Sequence, residues 1–286
     1  MLEFENYINY LGPVRNCNLC DEKNNTEWGR RGIFKLVQCS GCGLVYINPR
    51  LNQTGLDKLY SNYFQGRAGN SKLTKMRNEM YHLEVDFLLK YLTDHRTILD
   101  IGCGGGGFLK CFPDNYNKIG TEYDATAAKE TVKSGLKCYV GDFLDLKIIE
   151  KPIDVIIFRG TIEHVIDPKS TLEKASNILS KKGLLYITST PNLNSVCAEI
   201  YRGNWNQFGP DHIYYFSEPI LSQILKRNGL KLIADHHFYE ETPYANYLSD
   251  HKQLNSDLQR LRNGGEITNI SPPYWGNMLT LVYKKI

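Results

Sequence analysis

The stretch from Thr97 to Phe108, T-I-L-D-I-G-C-G-G-G-G-F, constrains the fold of this chain more than any other. Ile98, Leu99 and Ile101 form a short apolar run that reads as a buried strand. Four consecutive glycines, Gly104 to Gly107, follow it, and Phe108, Leu109 and Phe112 then resume as a helix would. Strand, glycine loop and helix start, in that order, set backbone N–H groups at a strand end. Glycine lacks a Cβ, so a ligand can approach those groups closely. Gly102, Gly104 and Gly107 satisfy G-x-G-x-x-G, and Glu122 follows at the offset of a ribose-binding acid. Asp100 sets the sign of the ligand. An acid aimed into the loop repels a pyrophosphate and attracts a cation or an amino group.

The rest of the chain repeats the strand-then-helix alternation. Lys118–Glu122, Lys137–Val140, Ile153–Phe158 and Gly183–Thr188 read as strands, with helices over 125–134 and from Pro168 between them. Leu230–Phe238 and Met278–Tyr283 read as two further strands with a polar, partly helical insert, 246–262, between them. The pattern predicts an α/β fold, a doubly wound and mostly parallel sheet of seven strands, finished by an antiparallel pair. S-adenosylmethionine carries both a sulfonium and an α-amino group, so the loop favours it over NAD. With 34 Lys and Arg against 31 Asp and Glu, the net charge of +3 is too mild to mark a nucleic-acid or membrane partner. No apolar run approaches a membrane span and the N-terminus does not read as a signal peptide, so a cytoplasmic protein is expected.

Of the eight cysteines, four fall in two pairs, Cys17-x₂-Cys20 and Cys39-x₂-Cys42, separated by 18 residues. This spacing fits a four-thiolate zinc site. With all four positions filled, the ion would be structural, a staple for a segment too small to make its own core. Phe34–Gln38 alternates like a ribbon strand, and Leu44–Arg50 reads as a short strand ended by Pro49. Residues 51–69 read as a short helix and then a loop carrying Tyr60, Tyr63 and Phe64. A helix over 71–92 leads into the larger part. The expected division is 1–70, zinc-binding module and lid or linker, and 71–286, the cofactor-binding domain.

Taken in order, D-I-G-C-G-G-G, G-T-E at 120–122, G-D-F at 141–143 and R-G-T-I-E-H-V-I-D-P at 159–168 resemble the class I S-adenosylmethionine-dependent methyltransferases, over residues 71–286. The four-cysteine module, the N-P at 48–49 and P-D-H-I-Y-Y-F-S at 210–217 are similar to bacterial sugar methyltransferases. The resemblance implies a Rossmann-like methyltransferase fold, methyl transfer to a small sugar or polysaccharide-precursor acceptor, and a role in carbohydrate biosynthesis. One departure stands out. The best-known sugar C-methyltransferases carry a further C-terminal domain, whereas this chain stops after its last sheet strand.

The resemblance also assigns roles. Asp100, Gly102 and Gly104 would cradle the methionine end, Glu122 the ribose hydroxyls, and Asp142 with Phe143 the adenine. His212 is expected as general base with Asp211 orienting it, and His164 is its rival; a histidine takes a proton near neutral pH. Tyr63 is expected to touch the substrate. His236 and His237 alternate on a strand and are not expected to bind metal. Two other readings compete. An RNA base methyltransferase would use the zinc module on RNA, yet residues 1–50 hold six basic residues against five acidic ones, a balance of +1 that argues against it. A non-catalytic cofactor-binding scaffold would have no use for an intact Asp211-His212.

Overall fold

The computed structural model describes residues 4–67, 71–148 and 151–286; at 61–67 and 71 it describes the backbone alone. The chain opens with β1 (Asn25–Arg31), β2 (Phe34–Cys39) and β3 (Val45–Ile47), then the helices α1 (Gln53–Arg67) and α2 (Ser71–Leu89). The alternating part runs β4 (Thr97–Ile101), α3 (Gly107–Lys110), β5 (Asn117–Glu122), α4 (Ala125–Lys133), β6 (Lys137–Val140), β7 (Ile153–Arg159), α5 (Pro168–Ile178) and β8 (Leu179–Pro191). It closes with α6 (Val196–Tyr201), β9 (Tyr214–Tyr215), α7 (Glu218–Arg227), β10 (Leu230–His236), α8 (Tyr247–Arg262) and β11 (Met278–Lys285).

Seven strands make the large sheet in the order β10-β11-β8-β7-β4-β5-β6. The run from β8 to β6 is parallel, and β11 lies antiparallel between β8 and β10. This is the Rossmann-like α/β methyltransferase arrangement. Alternation along the strands divides the core into two faces. Leu99 and Ile101 pack with Leu172 and Ala175 of α5 and Leu221 and Leu225 of α7. Ile98 packs on the other face with Val85 and Leu88 of α2 and Phe108 of α3. Such a sheet, covered on both faces, gathers its ligand-binding loops at the carboxyl ends of the parallel strands.

The second sheet has the order β1-β2-β3-β9. Its first three strands come from the cysteine-rich segment. The fourth, β9, comes from residues 214–215, with Val45 opposite Tyr215 and Tyr46 opposite Tyr214. Its core is shared in the same way. Trp28, Phe34, Leu36, Val45 and Ile47 pack with Cys197, Tyr201, Trp205, Phe208 and Tyr215. The segment lies against the larger part through apolar contact as well as through a strand ladder.

Two readings of local structure differ from expectation. Residues 53–67 form one helix where a short helix and then a loop are expected: α1 continues to Arg67, held by Leu56 and Leu59, which are buried in the core of the small sheet. The polar text between those two leucines hides the apolar stripe. Strand β1 carries a charged, exposed pattern and a bulge at Glu27/Gly29, so its sequence does not alternate as a strand should.

Candidate active site and metal centre

The glycine loop follows β4 directly. Gly102 has φ 75° and a Cβ there would come 2.7 Å from the Thr161 side chain, while Gly104 has φ 55° and faces open space. The first glycine thus lets the post-β7 loop pack close, and the second bares the backbone. Glu122, at the end of β5, accepts from Gly104 N (2.8 Å) with Oε2 and from Asp124 N (2.9 Å) with Oε1. Each carboxylate oxygen has two lone pairs, so both keep capacity for a hydroxyl. Tyr123, one residue on, is 66 % exposed, an aromatic face beside the ribose acid that sequence reasoning passed over. Asp142 accepts from Leu144 N (2.8 Å), which folds the G-D-F turn, and Phe143 is buried. Lys174 of α5 fixes that turn by donating to the carbonyls of Phe143, Leu144 and Leu146.

Asp100 is 2 % exposed, and its Oδ1 has no hydrogen-bond partner among the described residues. Burial pushes its carboxyl up to about 7. The nearby Arg159 guanidinium opposes the shift, and Glu122 and Glu84 add to it. A buried carboxylate without a donor is costly unless a ligand brings one. An α-ammonium is such a donor, so the residues present fit S-adenosylmethionine.

At the carboxyl end of β7 the loop 160–166 meets the segment 209–214. Ile213 N and Tyr214 N both donate to the Glu163 carbonyl (2.9 and 3.2 Å), which brings His164 and His212 together. Their rings lie 4.7 Å apart, edge to face. His212 Nδ1 donates to the Gln207 carbonyl at 2.7 Å and His164 Nδ1 to the Asp211 carbonyl at 2.9 Å. These bonds fix both rings, and among the described residues neither Nε2 has a hydrogen bond. The expected partnership of Asp211 with His212 is replaced by another. Sequence neighbours point apart here, so the Asp211 carboxylate lies 3.9 Å from His164 while a backbone carbonyl orients His212. Burial, and then the His212 charge, hold His164 below the usual histidine range.

Helix α1 covers this pair. Tyr60 Oη lies 3.5 Å from His164 Nδ1, and burial next to Asp211, Glu163 and Glu122 drives its phenol well above the usual range, so it stays protonated. Tyr60, read from sequence only as one aromatic among several, is thus a polar group of the site. The Tyr63 side chain lies outside the described residues. Glu163, 1 % exposed, accepts from Thr190 Oγ1 (3.1 Å), and a carboxylate oxygen of Glu163 and one nitrogen from each of His164 and His212 all lie within 4.8 Å of one another.

Cys17, Cys20, Cys39 and Cys42 also converge, their sulfurs within 4.8 Å of one another. Cys17–Cys42 and Cys20–Cys39 are 3.5 Å apart, close to the edge of a tetrahedron with metal–sulfur bonds of about 2.3 Å. The two pairs turn alike. Asp21 N donates to the Cys17 carbonyl and Gly43 N to the Cys39 carbonyl, and both residues have positive φ (59° and 77°). The Gly41 and Cys42 amides point at the Cys39 sulfur (3.4 and 3.5 Å), as donors to a thiolate would. The hydrogen bond with Cys42, and then burial, drive the Cys17 thiol well up. A dication would compensate the charge of four converging thiolates, and the donor set fits zinc.

Fold and site define a class I S-adenosylmethionine-dependent methyltransferase domain with a four-cysteine cluster near its N-terminus. Residues 73–235 match a methyltransferase domain family, and the chain belongs to that family. It is 30 % identical over 108 residues to an uncharacterised protein of Methanocaldococcus jannaschii, MJ1123, covering 38 % of this chain and 51 % of that one. It is 32 % identical over 127 residues to the ubiquinone biosynthesis O-methyltransferase of Glaesserella parasuis, covering 38 % and 53 %. The matched regions span about half the length of these curated relatives. The fold is similar to YcgJ of Bacillus subtilis, with TM-score 0.52, 16 % identity, and 71 % of this chain and 98 % of that one covered. It is similar too to an S-adenosylmethionine-dependent methyltransferase of Thermotoga maritima, with TM-score 0.52, 20 % identity, 77 % and 97 % covered. Among the described residues no helix is long and apolar enough to cross a membrane.

Proposed function

We propose that this methyltransferase acts on a small, sugar-derived acceptor, such as a polysaccharide precursor, and that His212 removes the proton the acceptor loses. The observation that carries the reading is the imidazole pair beside the end of β7, each ring fixed through Nδ1, with Tyr60 against His164. The cofactor supplies an activated methyl group. The chain holds it through Asp100, Gly102, Gly104, Glu122, Asp142 and Phe143. It then aligns the acceptor, keeps water away from the sulfonium, and moves one proton to His212 Nε2. His164, held neutral and tied to Asp211, positions the acceptor beside it. Zinc on the four cysteines is structural in this scheme. The acceptor's class rests on the resemblance of residues 210–217 and of the cysteine module to sugar methyltransferases.

Four of the six basic groups of the cysteine-rich segment are engaged within the chain, which supports a small acceptor over RNA. Arg30 and Lys35 pair with Glu27, Arg31 donates to the Phe208 carbonyl, and Arg50 donates to the Ile166 carbonyl. A phosphate-tracking surface would leave them unengaged.

The test is release of S-adenosylhomocysteine with a panel of nucleotide-linked and free sugars and, in parallel, structured RNA. A sugar substrate is expected. His212→Ala should then lower turnover by ~10² to 10⁴, as loss of a general base does, with cofactor affinity unchanged. Turnover with RNA alone would overturn the acceptor, and loss in His164→Ala but not His212→Ala would move the base.

A further inference from the structure

Arg159 ends β7 and takes no part in the scheme above. Its Nε donates to Glu84 Oε2 at 2.6 Å, and its guanidinium lies 4.3 Å above the Tyr81 ring and 5.5 Å from the Phe108 ring. Glu84, on α2, is fully buried and oversupplied with donors. Thr188 Oγ1 (2.9 Å) and Ser189 Oγ (2.6 Å) both bond its Oε1, and Tyr186 Oη donates to its backbone carbonyl. A pair built only for stability would present the guanidinium fork to the carboxylate with two nitrogens. Here Nε alone is used. Neither Nη1 nor Nη2 has a hydrogen bond among the described residues, and the side chain keeps 17 % exposure.

The Arg159 guanidinium lies close enough to Asp100 to favour its charged form. In the parallel register Asp100 stands opposite Ile157 of β7, so Arg159, two residues on, projects from the same face of the sheet as Asp100. That face therefore holds a buried carboxylate whose Oδ1 lacks a donor and a guanidinium whose two Nη atoms lack acceptors among the described residues. They do not bond each other. An α-amino acid, with an ammonium and a carboxylate on one carbon, supplies both missing partners.

We propose that Arg159, held by Glu84, binds the α-carboxylate of the cofactor's methionine end while Asp100 binds its ammonium, so that the pair selects ligands carrying a free amino-acid terminus. The proposal rests on the reading of the β4 loop as the cofactor site. Arg159 touches the ligand; Glu84 is a positioning residue, held in place by Thr188 and Ser189. Among the described residues, Arg159 otherwise has Glu84 as its one counter-charge at bonding distance.

Calorimetry on the zinc-loaded full chain separates the possibilities, using S-adenosylhomocysteine and 5′-methylthioadenosine, which has the same nucleoside and thioether but no amino-acid end. Arg159→Met should weaken S-adenosylhomocysteine ~10- to 100-fold, the range for one charge-assisted bidentate contact, and leave methylthioadenosine unchanged. Arg159→Lys should recover part of the loss, and Glu84→Gln should reproduce it more weakly with the same split between ligands. If Arg159→Met weakens both ligands equally, the role is structural and the proposal fails. If it weakens neither, the carboxylate lies elsewhere and the proposal fails. Should Arg159→Met not fold, Arg159→Lys and Glu84→Gln carry the same comparison. Wild-type protein that binds neither ligand would instead overturn the cofactor site itself.

Discussion

Asp100 concentrates the electrostatics of the site in one carboxyl. Its ordinary range is near 4, and burial lifts it to about 7 in the folded chain, with Arg159 opposing and Glu122 and Glu84 adding to the shift. The sign of the consequence follows. Between those two values the folded state binds a proton that the unfolded state has released, so stability falls as pH rises from about 4 to about 7. Asp100→Asn removes this dependence. The unliganded variant should therefore gain thermal stability relative to wild type, and the gap should widen from pH 5 to pH 8 in scanning calorimetry. Parallel pH curves for the two proteins would refute the assignment. The ligand reverses the balance, since an ammonium favours the ionised acid, and cofactor affinity should rise through pH 7 in wild type but not in the variant. Asp100 and Glu122 were legible because they stand at fixed offsets from the glycines. Arg159, Tyr60 and the turn of Asp211 toward His164 were not, because each depends on a partner far off in sequence: Glu84, His164 itself, and the ladder that joins 209–214 to Glu163.

At the scale of elements, α1 shows how a helix can serve chemistry by what it buries on its far side. Leu56 and Leu59 anchor it in the core of the small sheet, and Tyr60, one residue on, then faces the histidines. Leu59→Ala removes packing worth ~2–5 kcal/mol at a buried site and loosens the helix. Turnover should fall at least as far as in Tyr60→Phe, with S-adenosylhomocysteine affinity little changed, because Asp100, Glu122 and the 141–143 turn lie on β4, β5 and the loop after β6 rather than on α1. Wild-type turnover in Leu59→Ala would show that the helix is not needed over the site. The strands of the large sheet were readable as elements because burial on both faces makes them continuous apolar runs. The pairing of β3 with β9 was not, since a two-residue strand carries no periodicity and its partner lies about 170 residues away.

For the whole molecule, the four cysteines are more than a local staple. Cys17, Cys39 and Tyr46 share one continuous core with Ile213, Tyr214 and the large sheet. Cys39→Ser leaves three thiolates and should release zinc from about one per chain toward none by metal analysis. Hydrogen exchange should then rise in β2 and β3 and also across residues 209–215, while β4, β5 and β7 stay protected. Exchange confined to residues 10–50 would show that the cysteine segment and the histidine segment are independent.

The ladder between β3 and β9 has one more consequence. Tyr214, which pairs with Tyr46, lies two residues beyond His212 in the chain. Whatever steadies one end of that short ribbon steadies the other, and such coupling is reciprocal. An acceptor held at the histidines should slow the escape of zinc to a chelator, and by the same factor the zinc-free chain should bind that acceptor more weakly. The rate of metal loss thus becomes a measure of occupancy at the histidines, and compounds can be screened by how long they keep the metal in place.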